Sequence, residues 1–281
     1  MKLLVFGKTG QVATELQRRA PEAAFLGRAE ADLSDPAACA AAIHARAPDA
    51  VINAAAYTAV DRAEEEEALA HRINADAPGA MAKAAAEVGA AFLHISTDYV
   101  FDGSGDEARA ESAPTAPLNA YGRTKLAGEL AVRAAHPNAL ILRTSWVVSA
   151  HGQNFIKTML RLSETRDTLT IVADQIGGPT PAGAIAEALI RCASAMQDGA
   201  QGGTYHFAGA PHTSWADFAR AIFAAAGRDV TVTDIPTTGY PTPATRPLNS
   251  RLDCTAITRD FGIKAPDWRA ALPGILKELN I

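Results

Sequence analysis

The sequence predicts an α/β fold, a doubly wound parallel sheet wrapped by helices and joined to a smaller C-terminal lobe. Short apolar runs at residues 2–6, 50–53, 91–97 and 139–146 alternate with alanine-rich helical segments, the order expected when parallel strands are linked by helical crossovers. The first run passes straight into Gly7-Lys-Thr-Gly10-Gln-Val-Ala13 and a helical stretch through Arg19, so strand, glycine turn and helix follow in order. At 281 residues and 48% hydrophobic composition, the chain can bury a large core.

The elements follow in chain order. Residues 2–6 read as a buried strand, too short an apolar run for a signal sequence. The second strand ends at Phe25-Leu-Gly-Arg28. Ser34-Asp-Pro36 reads as a helix start, with a capping side chain and a proline in the first turn, leading to Arg46. Residues 61–88 are helical in character, interrupted by Pro78-Gly79. The acid run Glu64-Glu-Glu-Glu67 near their start reads as a solvated helix face favoured by the N-terminal dipole. Proline and glycine concentrate at 177–183 and 236–247, which marks loops. Residues 203–207 read as a strand returning to the main sheet. The expected division is therefore a nucleotide-binding domain over 1–150 and a substrate lobe over 151–281, with a discontinuous boundary.

Bulk properties narrow the chemistry. The net charge of -5 and the lack of a Lys/Arg cluster argue against nucleic acid as a partner. Cys39, Cys192 and Cys254 are far apart and form no Cys-x-x-Cys, which suggests neither a disulfide framework nor a zinc knuckle and fits a cytoplasmic protein. No apolar stretch has the length of a membrane span, so no membrane partner is expected.

The glycine turn suits a dinucleotide. Gly7 and Gly10 let backbone approach a pyrophosphate at a helix N-terminus, and Ala13 is small where helix packs on sheet. The acidic residue that would clasp the adenosine ribose is missing at the end of the second strand. Arg28 stands there instead, suited to a 2'-phosphate, so NADPH is expected with NADH possible.

Tyr121 and Lys125, in Asn119-Ala-Tyr-Gly-Arg-Thr-Lys125, are four apart, and a helix puts both on one face. An ammonium beside a phenol favours the phenolate, so Lys125 is expected to lower the Tyr121 pKa. A Tyr/Lys pair at this spacing is more often a solvated surface pair; the neighbouring segments give it meaning. Asn53-Ala-Ala-Ala-Tyr-Thr58, Ser96-Thr-Asp-Tyr-Val-Phe-Asp-Gly103 and Arg143-Thr-Ser-Trp146 each end a strand, where open α/β sheets bind ligands.

These segments, with Asp174-Gln-x-Gly-x-Pro-Thr180 and Arg246-Pro-x-Asn-Ser250, resemble the extended short-chain dehydrogenase/reductases, and within them the dTDP-4-dehydrorhamnose reductase family over nearly the full chain. The resemblance implies reduction of the 4-keto group of a dTDP-6-deoxy-hexulose, dTDP-4-dehydro-L-rhamnose, to dTDP-L-rhamnose, the last step of that nucleotide sugar's synthesis. It implies Thr97, Tyr121 and Lys125 as the catalytic set, with Tyr121 as acid and Thr97 as a second donor to the forming oxyanion. It implies that Lys125 holds the nicotinamide ribose. Gly7, Gly10, Gln11, Val12, Arg28, Asp32, Leu33, Ala56, Tyr57 and Thr58 would line the cofactor, and Thr97, Asp98 and Trp146 the nucleotide-sugar substrate.

Alternatives lie close by. A sugar-nucleotide 4,6-dehydratase pattern reads Thr-Asp-Glu, and here Tyr99 replaces the glutamate that such chemistry uses as base. A nucleotide-sugar 4-epimerase uses the same triad with retained NAD. A non-catalytic NADP-binding regulatory subunit is disfavoured by an intact triad. The resemblance also implies a magnesium ion shared between two subunits through glutamates. Glu15 and Glu278 match that pattern, but Gly183 stands where the third is expected, so no obligatory metal and a monomer or weak homodimer are expected.

Overall fold

Six parallel strands form the central sheet of the computed structural model, which describes residues 1–281. Numbered in chain order, they are β1 (Leu3–Phe6), β2 (Ala24–Leu26), β3 (Ala50–Asn53), β4 (Ala91–Thr97), β5 (Leu140–Thr144) and β6 (Gly203–His206). Their order across the sheet is β6-β5-β4-β3-β1-β2. The strand expected near 203–207 thus pairs with β5, placing Tyr205 beside Leu142 and His206 beside Arg143.

The strands are buried on both faces, and their residues alternate between two cores. Leu3, Val5, Ile52, Leu93 and Leu142 pack with α1 (Gln11–Arg19) and α7 (Ala182–Gln197), while Leu4, Phe6, Val51, Phe92 and Ile141 pack with α2 (Pro36–Arg46) and α4 (Ala77–Glu87). This period-two division is what a sheet between helical layers requires, and it explains why the strands read as continuous apolar runs. The switch from β1–β2 to β1–β3 opens the sheet's carboxyl edge, where Phe6 pairs with Asn53, Asn53 with His94, and Thr97 with Thr144.

The expected start of α2 is present: Asp35 caps it through a 3.0 Å bond from the Ala38 N–H, with Pro36 following. The break expected at Pro78-Gly79 lies earlier. A π-helical turn, Arg72–Asp76, separates α3 (Glu67–His71) from α4, and Pro78 sits in the first turn of α4. Pro78 has no N–H to offer the Asn74 carbonyl four residues back, so the helix widens there. The Asn74 carbonyl instead lies against α5 (Ala120–Ala135) at Gly128, where an added Cβ would come within 2.0 Å of it. Gly128→Ala is therefore expected to cost about 1–3 kcal/mol, read as a lower urea midpoint at unchanged m-value.

The C-terminal residues build a separate core. Ile156, Met159 and Leu160 of α6 (Phe155–Ser163), Phe218, Ile222 and Phe223 of α8 (Trp215–Ala225), and Trp268, Leu272 and Leu276 of α10 (Trp268–Glu278) pack together. A parallel ribbon of Thr168–Val172 with Thr231–Ile235 lies beside them. A short helix, α9 (Thr255–Phe261), packs with β6 and α7 through Ile257.

Candidate active site

The turn after β1 meets the geometry that a pyrophosphate demands. Gly7 has φ +116° and lies so close to Ala54 that an added Cβ would stand 3.3 Å from its carbonyl carbon. Gly10 precedes α1 with open space on its Cα and no side-chain cap, leaving the first N–H groups of α1 without a capping side chain. A cradle of this kind fits a dinucleotide phosphate. Val12 is buried in the core beneath it.

Other expected cofactor residues divide. The Gln11 side chain is tied to the segment after β5: it donates to the Val147 carbonyl at 3.2 Å and accepts from Ser149 at 2.8 Å and Asn154 at 3.0 Å. Arg28 is 85% exposed and 4.0 Å from Asp32, whose carboxylate accepts the Ser34 N–H at 2.8 Å. Leu33 is buried in the core. An acid does reach the end of β2, contrary to the sequence reading. Glu30 folds back to accept the Gly27 N–H at 2.9 Å and pairs with Lys8 of the glycine turn at 3.2 Å. It was passed over because it lies four residues beyond the strand and returns through a turn.

The expectation of a solvated face for Glu64–Glu67 holds in that Glu64 and Glu65 are exposed and Glu66 and Glu67 half-buried, but three of the four are also paired. Glu64 accepts the Ala120 N–H at 2.7 Å, Glu66 binds the Tyr57 hydroxyl and Arg62, and Glu67 forms a two-point pair with Arg123 at 2.9 Å. Only Glu65 of the run remains without such a partner. Three acids thus meet the N-terminal turn of α5 and the Ala56-Tyr57-Thr58 loop, where helix-end N–H groups and cations favour negative charge. Asn74, which sequence reading gave no role, accepts the Tyr57 N–H at 2.8 Å and donates to its carbonyl and to Thr124 at 3.1 Å. The widened helical turn that carries it has no signal in composition.

Asn119 caps α5 by accepting the Gly122 N–H at 2.8 Å, and donates to the Thr245 carbonyl at 2.8 Å. This brings the 236–247 loop to the start of α5. Asp61 pins the same loop, pairing with Arg246 at 2.7 Å and accepting the Ala244 N–H. Gly122 lies under the Tyr99 carbonyl, where an added Cβ would come within 2.2 Å. Tyr121 is thereby brought against Tyr99, with ring centroids 5.5 Å apart and planes at 77°.

The residues expected to react lie at the end of β4 and on the first turn of α5. The Thr97 hydroxyl lies beside the Tyr121 phenol and donates to Asp98 at 3.0 Å. Asp98 is buried, and its Oδ2 has no hydrogen-bond partner in the protein. Burial pushes its pKa up to about 6, against the opposing contacts of Ser250 and Thr97. An unpaired buried carboxylate oxygen is costly unless a ligand completes it.

Trp146 is not simply core. It adopts φ +48°, stacks on Trp215 with centroids 3.5 Å apart, and covers Gly177, whose Cβ would fall 2.6 Å from the indole. Trp215, missed in the sequence because it heads a helix of the C-terminal lobe, donates to Gln175 at 3.2 Å. The two half-buried indoles make a flat apolar wall next to the catalytic edge.

The expected effect of Lys125 on Tyr121 is overturned. Burial raises the Tyr121 pKa to about 12, Thr97 acts against the rise, and Asp98 adds to it. Lys125 is turned toward β4, donating to the Ile95 carbonyl at 2.7 Å and lying 3.3 Å from His94 Nε2. Burial lowers its own pKa to about 8, with Glu129 opposing. In this state the phenol is firmly protonated.

A buried network holds α5 in place. Arg143 of β5 binds Glu129 of α5 through two bonds, 2.9 and 2.6 Å, with both side chains nearly inaccessible, and Ser96 of β4 donates to the same carboxylate. Tyr121 and Lys125 are thus tied to the strands that carry Thr97 and Trp146.

The family model described as "RmlD substrate binding domain" matches residues 1–281. A dTDP-4-dehydrorhamnose reductase from Sinorhizobium fredii is 46% identical over 278 residues, covering 95% of this chain and 94% of that one. The chain belongs to the dTDP-4-dehydrorhamnose reductase family. Two solved structures of such reductases agree. One from Clostridium acetobutylicum has a TM-score of 0.93 at 37% identity, covering all of both chains. One from Bacillus anthracis, in complex with NADP, has a TM-score of 0.92 at 34% identity, covering 99% of this chain and 100% of that one.

The family's shared-metal expectation meets a specific obstacle here. Glu15, His151 and Glu278 do cluster, within 4.8 Å. Arg18 binds both oxygens of Glu278, at 2.9 and 3.0 Å, and reaches Glu15 at 3.3 Å, while Arg19 also pairs with Glu15. Gly183 supplies no ligand, and an added Cβ there would lie 2.6 Å from the Arg19 guanidinium. Magnesium requires an oxygen shell, and two guanidinium groups already answer these carboxylates. The donor set does not fit the ion.

Proposed function

We propose that this chain reduces the 4-keto group of dTDP-4-dehydro-L-rhamnose to give dTDP-L-rhamnose, using NADPH or NADH. The observation that carries the reading is the meeting of the Thr97 and Tyr121 hydroxyls beside the buried Asp98. Gly7, Gly10 and the free N-terminal N–H groups of α1 would hold the pyrophosphate, with Lys125 at the nicotinamide ribose. The bound dinucleotide supplies hydride. The NADP complex of the Bacillus anthracis relative supports this cofactor class. Val12, Ala56, Tyr57, Thr58, Asp32 and Leu33 complete the proposed lining, and the exposed Arg28 is available to a 2'-phosphate.

Tyr121 Oη gives its proton to the C4 oxygen as negative charge forms there, and Thr97 would turn its one hydroxyl hydrogen from Asp98 to that oxygen as a second donor. A phenol held near 12 is protonated at rest and so carries the proton to be delivered. Asp98 would accept a substrate hydroxyl through its unpaired Oδ2, and the Trp146 indole would face the deoxysugar or base. The same reading carries a cytoplasmic monomer or weak homodimer with no nucleic-acid or membrane partner; no helix is long and apolar enough to cross a membrane.

Thr97→Val is expected to lower kcat about 10-fold to 1000-fold, the scale of one lost oxyanion donor; unchanged steady-state turnover would remove Thr97 from the site. The pH profile should be bell-shaped. Below about 6, Asp98 gains a proton and loses its acceptor; above about 8, Lys125 loses its proton and its charge. A profile of kcat/KM for the sugar nucleotide checks both limbs, and Asp98→Asn should abolish the acid one.

A further inference from the structure

Asn53, His94 and Lys125 form a buried chain whose hydrogens the geometry determines. Asn53 is 1%, His94 0% and Lys125 2% exposed. The Ala55 N–H can only donate, and it points at Asn53 Oδ1 at 3.1 Å. The Asn53 amide nitrogen, which can also only donate, therefore faces His94 Nδ1, at 3.1 Å. That ring nitrogen must be bare. A neutral imidazole then carries its hydrogen on Nε2, the atom 3.3 Å from Lys125 Nζ. An ammonium has no lone pair to receive that hydrogen, whereas a neutral amine accepts it and still donates to the Ile95 carbonyl at 2.7 Å.

We propose that His94 is a positioning residue that, with its tautomer locked by Asn53, favours the neutral amine of resting Lys125 and so weakens its hold on a proton, and that dinucleotide binding restores the ammonium by proton uptake. The proposal rests on the reading of Lys125 as the cation that serves cofactor and acid. One proton moves from solvent to Lys125 Nζ, and no bond between heavy atoms changes. The surroundings agree. From β4, Lys125 meets His94 and the Ile95 carbonyl; from its own helix, Glu129, matched by Arg143, acts on it, and Tyr121 stands one turn earlier. Burial keeps His94 itself neutral. The phenol rests unassisted because Lys125 is turned to His94 and the Ile95 carbonyl.

The test uses the full ligand-free chain with nitrogen-15 histidine and carbon-13 lysine labels. His94 should show Nε2–H and a bare Nδ1 at neutral pH, and the Lys125 ε-carbon should titrate well below an ordinary lysine. In His94→Gln, which offers Lys125 an acceptor oxygen, the Lys125 midpoint should rise by about one pH unit or more. Calorimetric titration with NADP+ near pH 9, in buffers of different ionisation enthalpy, should show proton uptake by the wild type and less by the variant. An Nδ1–H tautomer, an imidazolium at neutral pH, or an unmoved Lys125 midpoint in the variant overturns the proposal. Should the variant fail to fold, the wild-type tautomer and proton uptake decide. None of these readouts needs turnover, so they remain separate from the Tyr121 test of the reaction itself.

Discussion

Replacing Tyr121 with Phe should lower kcat by about 10²–10⁴-fold, the range of a lost general acid. The ring would keep its edge contact with Tyr99, whose centroid lies 5.5 Å away, so the fold and the dinucleotide cradle should be preserved. Because only the transition state loses an interaction, kcat and kcat/KM should fall together while the NADPH dissociation constant stays within about twofold. Steady-state kinetics and fluorescence titration with NADPH read the two quantities. Turnover near that of the wild type would mean that another group protonates the C4 oxygen.

Arg143→Met should produce the largest loss of stability, about 3–5 kcal/mol. The guanidinium makes two bonds to Glu129 and lies over the Phe101 ring at 5.1 Å. Removing it leaves the Glu129 carboxylate buried with Ser96 as its remaining side-chain donor. The charge left behind causes most of the cost. A double variant, Arg143→Met with Glu129→Leu, should therefore recover much of the loss in urea denaturation, whereas an additive further loss would place the energy in shape rather than charge. Activity should fall with stability in the single variant, since Glu129 stands one helical turn from Lys125 on α5.

Elements whose information is local were legible in the chain. Alternate burial on two helical layers makes the first three residues of β1, β3, β4 and β5 apolar, and a strand running into Gly7 and Gly10 needs no distant partner to be read. Asp35 and Pro36 mark a helix start by their own chemistry. Tyr121, Thr97, Asp98 and Trp146 also meet as expected at one sheet edge, because strand register brings Thr97 beside Thr144.

What escaped the sequence depends on contacts across long separations. Lys125 was expected to act on the residue one helical turn away, but its nearest partners are His94 and Ile95 on β4. The four glutamates at 64–67 resemble any solvated acid run until α5 presents a free N–H and Arg123 to them. Glu30 becomes an end-of-strand acid only through a turn that folds it back to Gly27. Trp215 finds Trp146 across 69 positions of chain, through packing between the lobe and the sheet edge.

The central claim is that these groups perform one irreversible hydride and proton delivery to a C4 carbonyl rather than an oxidation and return. Its most direct measurement follows NADPH absorbance while the purified protein acts on dTDP-4-dehydro-L-rhamnose, with product quantified by chromatography. One NADPH should disappear for each dTDP-L-rhamnose formed, with no product in the absence of reduced cofactor. Conversion of the sugar nucleotide without net NADPH oxidation, or NADP binding with no turnover, would contradict the account.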